Sequence, residues 1–450
     1  MNKVDFGSGK ITKNIFQTAL PMLAAQLLNL LYSIVDRIYI GRIEGIGTLA
    51  LGAVGLCFPV IIIITGFTNM YGMGGAPLFS MELGRGDREK AALYQSTAFR
   101  LQIVTAVVLM VLGEVFCAPL LRLFGATEAE LPYALPYLRI YLLGTVFSMV
   151  STGMNPFLNA QGYSALGMVT VAIGAGANLV LDPIFIFTFS MGVEGAAIAT
   201  VLSQGLSMAF VMWFLYGRRN QFPVRFRFSF PGAGEIVGLG TAPFIMSATN
   251  ALVSITCNSV LMDCGGSAYV SVMTIVNSVR QVLSTPVEAI AEGASPVISY
   301  NYGAGKYEHV CKAIRIMTIT AVGYTAVMWA LIMLVPEAFI SIFSPDETIL
   351  ASAAAALHMY FYTFVFQAFQ FSGQTVFKSL NRKRQAVFFS LFRKAILVVP
   401  LTYLFAYTLS WGTDGVFWAE PVSNLIGGAA CYTTMLLIVY RKMKNGTYNQ

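Results

Sequence analysis

Two carboxylates stand in stretches that are otherwise apolar. Asp36 closes a polar stripe of Asn29, Tyr32, Ser33 and Asp36, whose spacings of three and four put all four on one helical face. Asp182 follows Asn178 by one turn and directly precedes Pro183. Proline has no N–H, so the Leu179 carbonyl four residues earlier loses its helical partner. A carboxylate, an amide and a free carbonyl then converge on one turn, an oxygen-rich group that suits a hard cation or a proton relay. Simpler readings stay open. Asp36 could pair with Arg37 or Arg42 at a helix end, and Asp182 could be a helix-end acid. Farther on, Thr200, Ser203, Gln204 and Ser207 share a face that lines a cavity or merely packs small residues between helices. The second half carries other charges: Arg280, Glu288 and Glu292 around Pro286, and Glu420 beside Pro421. Either they line a ligand cavity, or Arg280 and a Glu neutralise each other.

The elements that must position these residues are spanning helices. The chain of 450 residues is 56% hydrophobic and 11% charged, against about 25% charged for a soluble domain. A span needs about 20 mostly apolar residues. Twelve such segments are expected, near 14–40, 47–80, 92–116, 131–158, 164–189, 194–216, 236–262, 268–301, 309–335, 351–378, 386–410 and 415–440. An ionisable group inside a span is costly, and that cost makes the acids above functional candidates.

The chain also repeats itself. At a shift of 219, Ala76-Pro77-Leu78-Phe79-Ser80 meets Ser295-Pro296-Val297-Ile298-Ser299, Gly84-Arg85-Gly86 meets Gly303-Ala304-Gly305, and Tyr141 meets Tyr360. One residue later in register, Gly192-Val193-Glu194-Gly195 meets Gly412-Thr413-Asp414-Gly415. The expected fold is an all-α integral membrane protein, twelve transmembrane helices in two parallel six-helix repeats related by an axis along the membrane normal. The expected domains are 1–216 and 235–450, each a six-helix bundle, joined by a cytoplasmic linker at 217–234.

Most of the 28 Lys and Arg residues fall in loops on one side, among them Lys10, Arg85, Arg88, Arg218, Arg219, Arg225, Arg227, Lys312 and Lys383. By the positive-inside rule both termini are cytoplasmic, in a multi-pass protein of the inner (plasma) membrane. The same loops account for the net charge of +7, so no nucleic-acid partner is needed. The first 14 residues are polar, with no short apolar core and small-residue cleavage site after them, so the first helix is expected to act as an uncleaved insertion signal. Six scattered Cys form no CxxC pair, and the two His residues lie far apart. No nucleophile with a base and no His/Cys constellation points to an enzyme, and no cofactor is expected.

Val35-Asp36-Arg37-Ile38-Tyr39-Ile40-Gly41-Arg42, Asn178-Leu179-Val180-Leu181-Asp182-Pro183 and Tyr300-Asn301-Tyr302-Gly303-Ala304-Gly305-Lys306, on twelve helices in two halves, resemble the multidrug and toxic compound extrusion (MATE) transporters. The likeness covers essentially the whole chain. It implies a cation-coupled antiporter, driven by sodium or protons, that exports lipophilic, mostly cationic drugs by alternating access between the bundles. It further implies a coupling-cation site, for sodium or a proton, at Asp36, Asn178, Asp182 and Thr200, with Tyr32 beside it, as in the bacterial and archaeal branch with an N-terminal site. A branch with acids in the seventh and tenth helices fits less well, because Asp263 lies at the end of the seventh. Asn29, Ser203, Gln204, Arg280, Glu288, Glu292 and Glu420 are the expected substrate-cavity residues, with the C-terminal cavity more acidic than usual. The expected partners are small organic cations and the bilayer, with a monomeric protein. Two rivals are weaker. A major facilitator transporter would need more of the motif faintly present at Gly84-Arg85-Gly86-Asp87-Arg88, and a lipid-linked oligosaccharide flippase would need fourteen helices and a strongly cationic cavity.

Overall fold

The computed structural model describes residues 3–217, 222, 229–341, 347–446 and 448, with side chains at 347–349 left aside. Among the described residues there is no strand. The first six spanning elements are α1 (Ile11–Gly41), α2 (Gly47–Arg85), α3 (Arg88–Leu123), α4 (Leu131–Leu143 and Thr145–Ala160, bent by 54°), α5 (Ser164–Thr188) and α6 (Gly192–Tyr216). A 71-residue helical run, Ala233–Gly303, is interrupted at Gly266, whose φ of 72° and ψ of −169° are not helical. Glycine alone adopts that backbone at little cost. The break divides the run into α7 and α8. Then come α9 (Tyr307–Leu334), α10 (Glu347–Phe361 and Phe364–Ser379), α11 (Lys383–Thr408) and α12 (Thr413–Lys444). These are the twelve expected spans, six in each repeat.

The repeat is visible in backbone detail. Gly86 ends α2 with φ 84°, its N–H bonded to the Leu83 carbonyl and that of Asp87 to Glu82. Gly305 ends α8 with φ 70°, and its N–H and that of Lys306 bond the Tyr302 and Asn301 carbonyls. Both are left-handed glycine caps of the same geometry. Helices α5 and α11 each close on a π-helical turn, Ile184–Thr188 and Leu404–Thr408. The left-handed residues that follow also match, Ser190 with Ser410 and Gly192 with Gly412. Packing repeats too. A Cβ on Gly195 would lie 2.7 Å from the Phe185 carbonyl carbon, and one on Gly415 would lie 2.6 Å from that of Phe405. Each glycine lets the start of one helix touch the backbone at the end of the previous one.

The chain divides into two compact units. One is built mainly of Ala24–Phe244, the other of Asp5–Leu23 with Ile245–Gln450. In the first, Phe79 makes edge-on contacts with Phe157 at 5.9 Å and Phe222 at 5.1 Å between ring centroids. In the second, Phe361 and Phe364 pack edge-on at 5.1 Å beside fully buried Phe417. The expected linker, 217–234, falls largely on residues outside those described, 218–221 and 223–228, and Arg218, Arg219, Arg225 and Arg227 are among them. All six cysteines are free thiols.

Candidate functional site

Pro183 sets the first site. Helix α5 loses regular α geometry just after it and closes on a π-helical turn, a distortion common at functional positions. The turn before the proline carries Asn178, 4% exposed, and Asp182, fully buried. The Asn178 amide nitrogen donates to Asp182 Oδ1 at 3.1 Å and reaches Thr200 Oγ1 of α6 at 3.5 Å. From α1, the half-buried Asp36 brings its carboxyl close to that of Asp182. Arg37 lies within electrostatic range of Asp36 without closing on it. Its guanidinium carbon sits 5.2 Å from the Phe58 ring centroid, and no ion pair joins the two among the described residues.

Two carboxyls held close together cannot both be ionised unless something positive stands with them. Asp36 Oδ1 and Asp182 Oδ2 are both buried without a hydrogen-bond partner. The site therefore has unfilled acceptor capacity that a proton or a small cation would satisfy. Among the described residues no group of three or more His, Cys, Asp or Glu is arranged as a metal site. The donors here are two carboxylates with neutral oxygens, which suits a monovalent ion or a proton better than a transition metal.

Tyr32 lies one turn before Asp36, within electrostatic range of both acids. Two tyrosines of α4 also belong here. Tyr137, buried, lies within range of Asp36 and Tyr32, and Tyr141, buried, is in hydrogen-bond contact with Gln204. Their rings are nearly parallel, at 14°, with centroids 6.4 Å apart. Sequence reasoning missed both; the available signal was two phenols one helical turn apart inside an apolar span. Ser203 Oγ and Gln204 Oε1 are buried and unpartnered on α6. Asn29 is exposed, its carbonyl accepting from Ser33 Oγ at 2.8 Å.

The second unit holds a cluster of different character. Glu420 of α12 is buried and accepts from Arg393 Nη1 at 2.8 Å and from Lys394 Nζ at 2.8 and 3.1 Å. Arg393 Nη1 also donates to Asn424 Oδ1 at 2.6 Å. Arg280, Glu288, Arg393 and Lys394 line one cavity. Glu288 and Glu292 lie within electrostatic range of Lys378. The expectation of an unusually acidic C-terminal cavity therefore fails: its lining acids are matched or exceeded by bases. Arg393 and Lys394 were missed, although two adjacent cations inside an apolar span carry the same cost argument that singled out the acids.

The repeat register relates the two clusters. Asp182 corresponds to Leu401–Thr402 and Thr200 to Glu420, while Asp36 falls near Cys257–Asn258. Cys257 lies close to Thr402, with Glu420 in electrostatic range of it. The same corner of each half is thus built, once as an acidic site and once as an ion-paired one.

A family model described as MatE matches the chain twice, over residues 21–184 and 243–404. The chain belongs to the MatE family. The double match falls on the two repeats. Among similar curated proteins are the multidrug export protein MepA of Staphylococcus aureus, 25% identical over 440 residues and covering 97% of this chain and 95% of its own, and that of Staphylococcus haemolyticus, 24% identical over 438 residues, with 97% and 94% covered. Among solved structures, one described as an outward-facing multidrug resistance MATE family transporter of the MOP superfamily aligns with a TM-score of 0.91 at 23% identity, covering 99% of both chains. A MATE structure in complex with MaD3S aligns with a TM-score of 0.91 at 24% identity, again covering 99% of both. This MATE protein is a multi-pass membrane transporter, and not an enzyme.

Proposed function

We propose that this MATE protein is a cation-coupled antiporter of the plasma membrane. It exports lipophilic, mostly cationic drugs by alternating access, and sodium or a proton is the coupling ion. The observation that carries the reading is the close approach of the Asp36 and Asp182 carboxyls, each with a buried oxygen left unpartnered. That arrangement is unstable as two bare charges and is relieved by one positive charge. Asp36, Asn178, Asp182 and Thr200 supply the oxygens, with Tyr32, Tyr137 and Tyr141 around them. An ion couples to transport only through its differential affinity for the inward and outward states, and an acid pair spanning α1 and α5 gains affinity only when those helices close on it. Drug as the cargo is supported by the likeness to the multidrug export proteins MepA. Both termini are placed in the cytoplasm by the basic loops. The working unit is a monomer that needs no cofactor.

The test is export of a cationic dye from proteoliposomes holding the purified protein. An imposed sodium gradient and an imposed pH gradient are applied separately. Export driven by at least one is expected, and dependence on ATP with indifference to both gradients would overturn the reading.

A further inference from the structure

The cavity of the C-terminal unit has a chemistry at odds with a purely cationic cargo. Its three lining bases, Arg280, Arg393 and Lys394, face one lining acid, Glu288. Glu420 is already engaged by Arg393 and Lys394. Arg280 closes no ion pair in this cluster, although Glu420 and Glu288 lie within electrostatic range of it. Its Nε donates to Asn277 Oδ1 at 3.4 Å, and among the described residues no ion pair and no further hydrogen bond holds the guanidinium. A half-buried guanidinium with open donors is a site for a planar anion, because its fork matches a carboxylate.

Three glutamines of α10 add a second feature. Gln367, Gln370 and Gln374 line the same wall, and each turns its amide nitrogen into the protein, toward Ser284 Oγ at 3.0 Å, the Phe389 carbonyl at 3.4 Å and Ser390 Oγ at 2.9 Å. Gln370 Oε1 and Gln374 Oε1 are left buried and unpartnered, in residues 6% and 4% exposed. Buried acceptors without donors are costly, and a ligand N–H or O–H relieves that cost. The cavity measures about 50 Å³, whereas a single water needs roughly 10–15 Å³ by the same kind of measure. It has room for a carboxylate and an adjoining donor, not for a whole drug.

We infer that this cavity receives the carboxylate end of an amphipathic, amphoteric cargo. Arg280 takes the carboxylate, and the Gln370 and Gln374 carbonyls take a neighbouring donor. The inference rests on the reading of the chain as a drug transporter and narrows its cargo.

The test uses the full-length protein in detergent and two dyes of one core: a rhodamine with a free carboxylate and its methyl ester, both followed by fluorescence anisotropy. The wild type is expected to bind the free acid more tightly. Arg280→Gln should weaken the free acid about tenfold, the worth of one charge-assisted hydrogen-bonded contact, and the ester by less than about twofold. Arg280→Lys, which keeps the charge but not the fork, should fall between. Equal weakening of both dyes, or no change in either, overturns the inference and makes the cluster structural. Should Arg280→Gln not fold by gel filtration, the wild type and Arg280→Lys decide: a wild type that prefers the ester, or a Lys variant that weakens both dyes alike, overturns it. Gradient-driven export of the ester in proteoliposomes is run in parallel. Its loss with the acid preference intact counts against coupling and leaves the cavity standing, and the converse counts only against the cavity.

Discussion

The two halves share a backbone and disagree in charge. At the end of α5 and the end of α11 the π-helical turn, the left-handed serine and the contact glycine recur at one spacing. Around those frames the first half places two acids close together with no base paired to them. The second places one acid between two bases at 2.8 Å. The first site therefore stores unmet demand for positive charge, and the second has met its own demand internally. A duplicated fold preserves what packing requires, since a Cβ at either contact glycine strikes backbone. It leaves free the side chains that face a cavity.

That contrast can be broken by substitution. The largest effect is expected at the first site. Asp182→Asn and Asp36→Asn should each reduce gradient-driven dye export to background while the protein still inserts, because an Asp at mid-helix opposes insertion by roughly 2.5–3.5 kcal/mol and its removal does not. Export by either variant at the wild-type rate would show that the acid pair is not the coupling site. Thermal unfolding of these two should not fall.

Glu420→Gln should do the opposite. It leaves Arg393 and Lys394 buried without their partner, and removing one member of a buried pair costs about 3–5 kcal/mol. A large drop in the unfolding midpoint is expected. A midpoint equal to that of Asp182→Asn would erase the distinction between the sites.

Smaller and symmetric effects are expected where the halves agree. Gly195→Ala and Gly415→Ala should each destabilise by about 1–3 kcal/mol, the usual cost of overpacking. The two losses should match more closely than those of Asp182→Asn and Glu420→Gln. A loss in only one half would mean the close approach is not a shared structural need.

Much of this protein was legible in its sequence. The spans were readable because lipid forbids unsatisfied backbone and exposed charge, so apolar length alone marks a helix. The repeat was readable because glycine at a left-handed cap or a backbone contact has no substitute, which is why Gly86 and Gly305, and Gly195 and Gly415, still align. The grouping of Asn178 with Asp182 followed from one turn of helix. Tertiary structure decided the rest. Whether Asp36 meets Asp182 depends on how α1 lies against α5, and no spacing within either helix encodes that. Tyr137 and Tyr141 join the site only because α4 passes beside it. Read along the chain, the C-terminal acids could line a ligand cavity or be neutralised by Arg280. Glu420 proved to be ion-paired once α11 brought Arg393 and Lys394 to it, 27 and 26 residues away. Periodicity reports which residues share a face of one helix; only packing reports which faces meet, and the sign of a buried site is a property of the faces that meet.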